Sequence, residues 1–152
     1  MKTLSRMLEH QYWANGRLAA AMKEQGADQP EALRLLRHMV MAERVWLTRL
    51  QGSDSSQLSI WDTSETLDEL LAMLGQNEQG YREYFDRLSE ERLDDIVDYR
   101  NQSGTPFRTS IRDILTHVTL HGHYHRGQIN RILRMESLEP AGLDFILFAR
   151  QM

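Results

Sequence analysis

Four of the six histidines fall within nine residues, in the run His117-Val-Thr-Leu-His121-Gly-His123-Tyr-His125-Arg-Gly-Gln128. Imidazole titrates near neutrality and, when neutral, offers a nitrogen lone pair to a divalent metal. In a helix, residues four apart lie one above the other. His121 and His125 can therefore aim two ring nitrogens at one ion, and His117 can do the same with His121.

The apolar residues around the run choose between these pairs. Counting about 100° per residue from Ile111, Ile114, Leu115, Val118, Ile129, Ile132 and Leu133 form a stripe from about 300° through zero to about 40°. His125 at about 320° and His121 at about 280° lie in or beside the stripe. His117 at about 240° is on its edge, and His123 at about 120° faces away, toward solvent or an interface. A neutral imidazole in a core needs a partner for each nitrogen, and a metal satisfies one while an acceptor on the other fixes the tautomer. On this run alone a metal pair and a pair of ordinary core histidines, bonded to carbonyls or carboxylates, stand about equal.

The remaining composition narrows the chemistry. Cysteine is absent, which removes a disulfide framework, a thiolate zinc site and a cysteine nucleophile. An ion must be held by nitrogen and oxygen, and a thiol must arrive with a substrate. The net charge of −4 argues against an open nucleic-acid surface. Met1-Lys-Thr-Leu-Ser-Arg leads directly into an amphipathic pattern and no run of about 18 apolar residues occurs, so a cytoplasmic protein without a membrane span is expected. A length of 152 residues fits one domain, residues 1–152, with a core of its own.

Periodicity predicts the elements that position the histidines. A first helix runs from Leu4 to about Lys23 and stops at Gly26 to Pro30; a second follows Asp28 and Pro30 to about Leu50. A third begins near Asp62-Thr-Ser-Glu65 and continues to about Leu88. Ile96-Val-Asp-Tyr-Arg and Thr105-Pro-Phe-Arg-Thr flank Asn101-Gln-Ser-Gly104 as an extended excursion or small hairpin. Thr109 or Ser110 caps the histidine helix, which ends after Met135, and Leu143-Asp-Phe-Ile-Leu-Phe packs back as an apolar tail. The expected fold is all-α: a four-helix bundle with a long crossover between helices 2 and 3 and a small extended excursion before helix 4.

Several polar residues occupy positions where this fold needs a core. Glu43 sits in the middle of the apolar stripe of the second helix, so it is paired with an arginine or tyrosine, or belongs to a site. The structural role carries more weight. Gln11 and Asn15 hold similar inner positions on the first helix, where an amide can bond across the bundle. His38 lies off the centre of its helix's stripe and reads as a boundary residue. Trp13 points away from the inner face, toward the tail or a second subunit, and Asp113 is either a capping residue or an acceptor for a histidine N–H.

Taken in order along the chain, Tyr12-Trp-Ala-Asn15, His38-Met-Val-Met-Ala-Glu43-Arg-Val-Trp46, His121-Gly-His-Tyr-His125-Arg-Gly-Gln128 and Asp144-Phe-Ile resemble the DinB-like family of metalloenzymes over nearly the whole length. The resemblance implies a four-helix bundle with a long crossover, often a homodimer, and a divalent ion held by His38, His121 and His125. The last two agree with the helical phase, whereas His38 rests on the resemblance. Imidazole ligands admit several metals, with zinc or nickel foremost here. Three neutral ligands leave an open position, as in catalytic rather than closed structural sites.

Relatives that use bacillithiol or mycothiol imply a metal-dependent enzyme that transfers a low-molecular-weight thiol to a small electrophile. Hydrolysis is the alternative, with Glu43 the candidate base; the chain has no His-Glu-x-x-His motif to supply one beside the ligands. A noncatalytic, metal-stabilised dimer is the third reading. The roles of Tyr124 and Arg126, which flank the last ligand, are open at this point.

Overall fold

Two features at the start of the second helix, Pro30 in its first turn and Glu31 beside it, show why that helix begins where it does. Proline has no N–H to leave unpaired there, and a carboxylate favours the positive end of the helix dipole. The computed structural model describes residues 1–62 and 64–151. In chain order it contains α1 (Lys2–Glu24), α2 (Pro30–Leu50), α3 (Leu67–Asp86), a 3-10 helix (Glu90–Asp94), β1 (Ile96–Arg100), β2 (Pro106–Ser110), α4 (Ile111–Met135) and α5 (Phe145–Ala149). The chain is thus mostly helical, with five α-helices and one small two-stranded sheet among the described residues.

The third helix starts later than expected. Its N-cap is Thr66, whose hydroxyl accepts from Glu69 N at 3.3 Å while Glu69 Oε2 accepts from Thr66 N at 2.7 Å. This reciprocal pair satisfies two N–H groups together, which the earlier candidate at Asp62 to Glu65 does not match; Thr63, within that candidate, lies outside the described residues. The expected hairpin is present: β1 and β2 pair antiparallel from Ile96 with Ser110 to Arg100 with Pro106. Asn101 Oδ1 accepts from Ser103 N and Thr105 N, and Gly104 takes φ +86, a left-handed conformation suited to glycine. Ser110 then caps α4 through Asp113 N at 3.1 Å.

α1 and α2 each pack against both α3 and α4. Their buried apolar residues divide into two clusters along the helices. One joins Ala14, Leu18, Leu36, Met39, Leu70 and Ile129, and the other joins Leu4, Leu8, Leu47, Tyr81, Leu115 and Val118. Fully burying each large aliphatic side chain contributes roughly 1.5–3 kcal/mol. Between the clusters lies a polar layer at mid-height, with buried Gln11, Asn15, His38, Glu43, Asn77, His125 and Arg126.

Described residues after α2, among them Ser55, Leu58, Ile60 and Glu65, cover one side of this layer. Arg37 Nε donates to Glu65 O at 2.8 Å, Arg49 Nε to Ser55 Oγ at 3.1 Å, and Gln102 Nε2 to the carbonyls of Ser55 and Leu58. At the other end, Trp13 Nε1 donates to Gln151 Oε1 at 3.0 Å, and its ring packs near Phe148. The outward Trp13 is therefore covered by the tail. His10, buried beside it, donates from Nε2 to Leu143 O at 2.7 Å and holds the same segment. No helix among the described residues is long and apolar enough to cross a membrane.

Candidate metal centre

His121 and His125 reach the polar layer from α4, and His38 meets them from α2. His121 Nε2 lies 3.2 Å from His38 Nε2 and 3.1 Å from His125 Nε2. The ligand atoms of all three lie within 4.8 Å of one another. An ion held at about 2.0–2.1 Å by tetrahedral nitrogen ligands would separate those nitrogens by roughly 3.3 Å. The donor set and its spacing fit a divalent ion.

The outer nitrogens decide which protons are present. His38 Nδ1 is 3.1 Å from the carbonyl oxygen of Ile60, and His125 Nδ1 is 2.7 Å from Gln128 Oε1. Both oxygens accept, so both Nδ1 atoms donate, and the Nε2 atoms of neutral rings carry lone pairs. His121 Nε2 faces both lone pairs and can supply a single N–H. A cation at the centre satisfies all three nitrogens at once. Burial, followed by the neighbouring imidazoles of His125, His38 and His117, pushes the His121 pKa down to about 3, and burial also lowers that of His38. Neutral imidazole is the form that binds a metal.

His38 corrects the periodicity reading. It is 6% exposed, because the segment after α2 folds over it: Ile60 accepts its N–H and Trp61 stacks on its ring at 3.7 Å and 11°. Helical phase within α2 cannot report a cover supplied by residues outside that helix. His117 remains at the edge and does not join the group, although its ring is 5.3 Å from that of His121. His123 is exposed, and Asp113 is an exposed residue of the first turn of α4.

Glu43, the candidate base, lies elsewhere. Its Oε1 accepts from Gln11 Nε2 at 3.1 Å and Asn15 Nδ2 at 3.0 Å, and its Oε2 from Asn77 Nδ2 at 3.4 Å. The structure does not bring it to the three histidines. Burial raises its pKa, opposed by the Asn15 hydrogen bond and the charge of Arg126. Arg126 is 1% exposed and donates from Nη1 to Asn15 Oδ1 at 2.8 Å. Its place was visible in the periodicity: at about 60° on the α4 count it falls next to Leu115 and Leu133. Tyr124 is exposed, its ring centre 5.2 Å from that of His125.

A cleft of about 490 Å³ opens beside the group, with His38 and His121 in its wall together with Trp46, Arg49, His117 and Gln102. Its remaining wall includes Ala42, Val45 and Ile60, and no carboxylate lines it among the described residues. The sequence profile of the DinB family matches residues 2–151. The chain belongs to the DinB family. It is 25% identical to Protein DinB of Bacillus subtilis (strain 168), over 94% of this chain and 91% of that one. It also shares its fold with the crystal structure of a DinB-like protein from Bacillus cereus, at a TM-score of 0.65 and 15% identity, over 94% of both chains. In this DinB-family chain, the family's helical fold therefore carries a three-histidine group that can hold a metal ion.

Proposed function

We propose that this chain is a metal-dependent enzyme that binds a divalent ion, zinc or nickel, through His38, His121 and His125 and transfers a low-molecular-weight thiol to a small electrophile. The observation that carries the reading is the convergence of three Nε2 atoms at 3.1 and 3.2 Å beside an open cleft. The supporting frame is a four-helix bundle, read from the packing of α1 and α2 each against α3 and α4.

A divalent ion at these nitrogens lowers the pKa of a coordinating thiol or water, so that a nucleophile is available at neutral pH. The residues supply the rest. Ile60 and Gln128 fix the tautomers of His38 and His125, and the indole of Trp61 excludes water from one face of His38. The cleft admits the electrophile alongside the neutral His121. Sulfur forms a bond to the electrophilic carbon as the leaving group departs, and the thiol proton leaves to solvent or to that group. Thiol transfer is favoured over hydrolysis because no carboxylate lines the cleft among the described residues and Glu43 is engaged by three amides. A homodimer is part of the proposal, supported by the exposed apolar side chains of Leu120, Tyr124, Phe145 and Ile146.

Elemental mass spectrometry on untagged protein, comparing wild type with His121→Ala, tests the metal. About one ion per chain, lost in the variant, is the expected result. Metal-loaded protein is then assayed with small thiols and 1-chloro-2,4-dinitrobenzene. Bound metal without thiol-dependent turnover of this or any wider set of electrophiles would leave a structural metal site instead.

A further inference from the structure

Among the described residues, the wall of the cleft carries a single permanently charged residue, Arg49. It follows His38 by eleven residues on α2, a difference of about 20° in helical phase, so the two share one face three turns apart. Ala42, Val45 and Trp46 fill the interval and line the same cleft. The Arg49 guanidinium lies 4.5 Å from the Trp46 ring centre. That ring is 5.3 Å from His117, which is 5.3 Å from His121. An apolar floor thus joins the guanidinium to the histidine group.

Arg49 is 6% exposed, yet all its acceptors are neutral. Nε donates to Ser55 Oγ at 3.1 Å, and Nη2 donates to Arg100 O at 3.2 Å and to Gln102 Oε1 at 3.3 Å. Tyr99 covers the group at 4.7 Å in addition to Trp46. Among the described residues no carboxylate pairs with Arg49, and no acceptor takes the N–H groups of Nη1. Burying an unpaired cation is costly. The other buried arginine, Arg126 in the polar layer, has the charge of Glu43 beside it. Arg49 has a rigidly held fork on a cleft wall and no anion of its own, which is an arrangement suited to an oxyanion supplied from outside.

We propose that Arg49 receives the oxyanionic group, a carboxylate, sulfonate or phosphate, of a small molecule whose other end reaches the three-histidine group. The ligand is accordingly a small acid with an apolar middle that lies along Ala42, Val45 and Trp46. The contact at the histidines rests on the proposed function; the contact at Arg49 does not require the metal.

The test is isothermal titration of zinc-supplied and metal-free protein with straight-chain alkanoates from butyrate to decanoate. Alkyl sulfonates and alkyl phosphates of matched length, and the corresponding alkanols, are titrated alongside. At the preferred length the acid binds at least about tenfold tighter than the alkanol, with or without zinc, and comparison of the three acids names the oxyanion. Adding a terminal thiol to that acid gives a further gain only with zinc. Arg49→Met abolishes the preference for acid while leaving alkanol affinity in place. Because Arg49 also ties Ser55 to the hairpin, Arg49→Lys, which keeps the charge and loses the fork, serves as a second variant; it retains part of the preference. Thermal melts verify that both fold.

Equal binding of acids and alkanols in the wild type overturns the inference, as does an acid preference unchanged in Arg49→Met. A preference that requires zinc and ignores Arg49 also overturns it, assigning the anion to the ion. Failure of the metal reading is separately visible: zinc does not bind and the thiol adds nothing, while the Arg49-dependent acid preference persists.

Discussion

Around Glu43 donors meet acceptors, whereas around His121 two acceptors compete for at most one N–H. Both groups lie in the polar layer between the two apolar clusters, and both join α2 to α4 or its neighbours. Glu43 has amide donors on each carboxylate oxygen, and its backbone carbonyl accepts from Tyr81 Oη at 2.6 Å. His38 and His125 have their outer nitrogens satisfied, and their inner lone pairs both face His121 Nε2. Burial is common to the two, so burial alone does not separate a structural network from a ligand site. The balance of donors and acceptors does.

Breaking each group should therefore have different consequences. The largest expected effect on metal comes from His125→Ala, which removes one of the three converging nitrogens and most of the bound ion, with helical circular dichroism retained; metal content reads the first and dichroism the second. For stability the largest effect is expected from Glu43→Ala. It leaves Gln11, Asn15 and Asn77 without their acceptor and the buried Arg126 without its countercharge, a loss of about 3–5 kcal/mol in chemical denaturation. The folded fraction of that variant should still bind metal, and loss of the ion from it would merge the two groups into one site.

A smaller loss is expected at Gly122, where an added Cβ would meet Arg126 Nη1 at 2.7 Å and Gln11 Oε1 at 2.9 Å. Gly122→Ala should cost about 1–3 kcal/mol, seen as a lower melting temperature, since the hydrogen bonds of Gln11 and Arg126 resist the needed shift. Gln128→Leu frees His125 Nδ1 from its acceptor and should weaken metal affinity by about tenfold in a chelator competition. At the end of the series, His123→Ala should leave metal content and stability nearly unchanged. A loss of metal equal to that of His125→Ala would mean that helical phase had chosen the wrong histidines.

α4 was legible in the sequence because one helix contains both signals needed: the spacing of His121 and His125, and the apolar stripe that shows which way they point. The hairpin was legible for a similar reason, since Asn101 to Gly104 carries its own turn chemistry. His38 was different. Its burial depends on Ile60 and Trp61, which return to α2 only after the chain has left it, and no periodicity within α2 encodes that return. Family resemblance supplied His38 where local pattern did not. The 3-10 helix at Glu90–Asp94 went unseen because five residues, fewer than two turns, are too short to display a period. Arg49 could have been noticed, since it shares the phase of His38, but its lack of a counter-charge is a property of three dimensions.

The stack of Trp61 on His38, 3.7 Å between ring centres and 11° between planes, gives the molecule an optical readout of its own. An indole in van der Waals contact with an imidazole responds to the electron demand of that ring, so its emission changes when the imidazole takes up a proton or a cation. A paramagnetic ion at His38 Nε2 would quench it strongly, while zinc would only shift it. Trp61 is 42% exposed, so displacement of the covering segment would appear as a red shift to water-like emission. With Trp13 and Trp46 replaced by phenylalanine, occupancy of the histidines and opening of their cover can thus be followed separately in the emission of Trp61, without an added label.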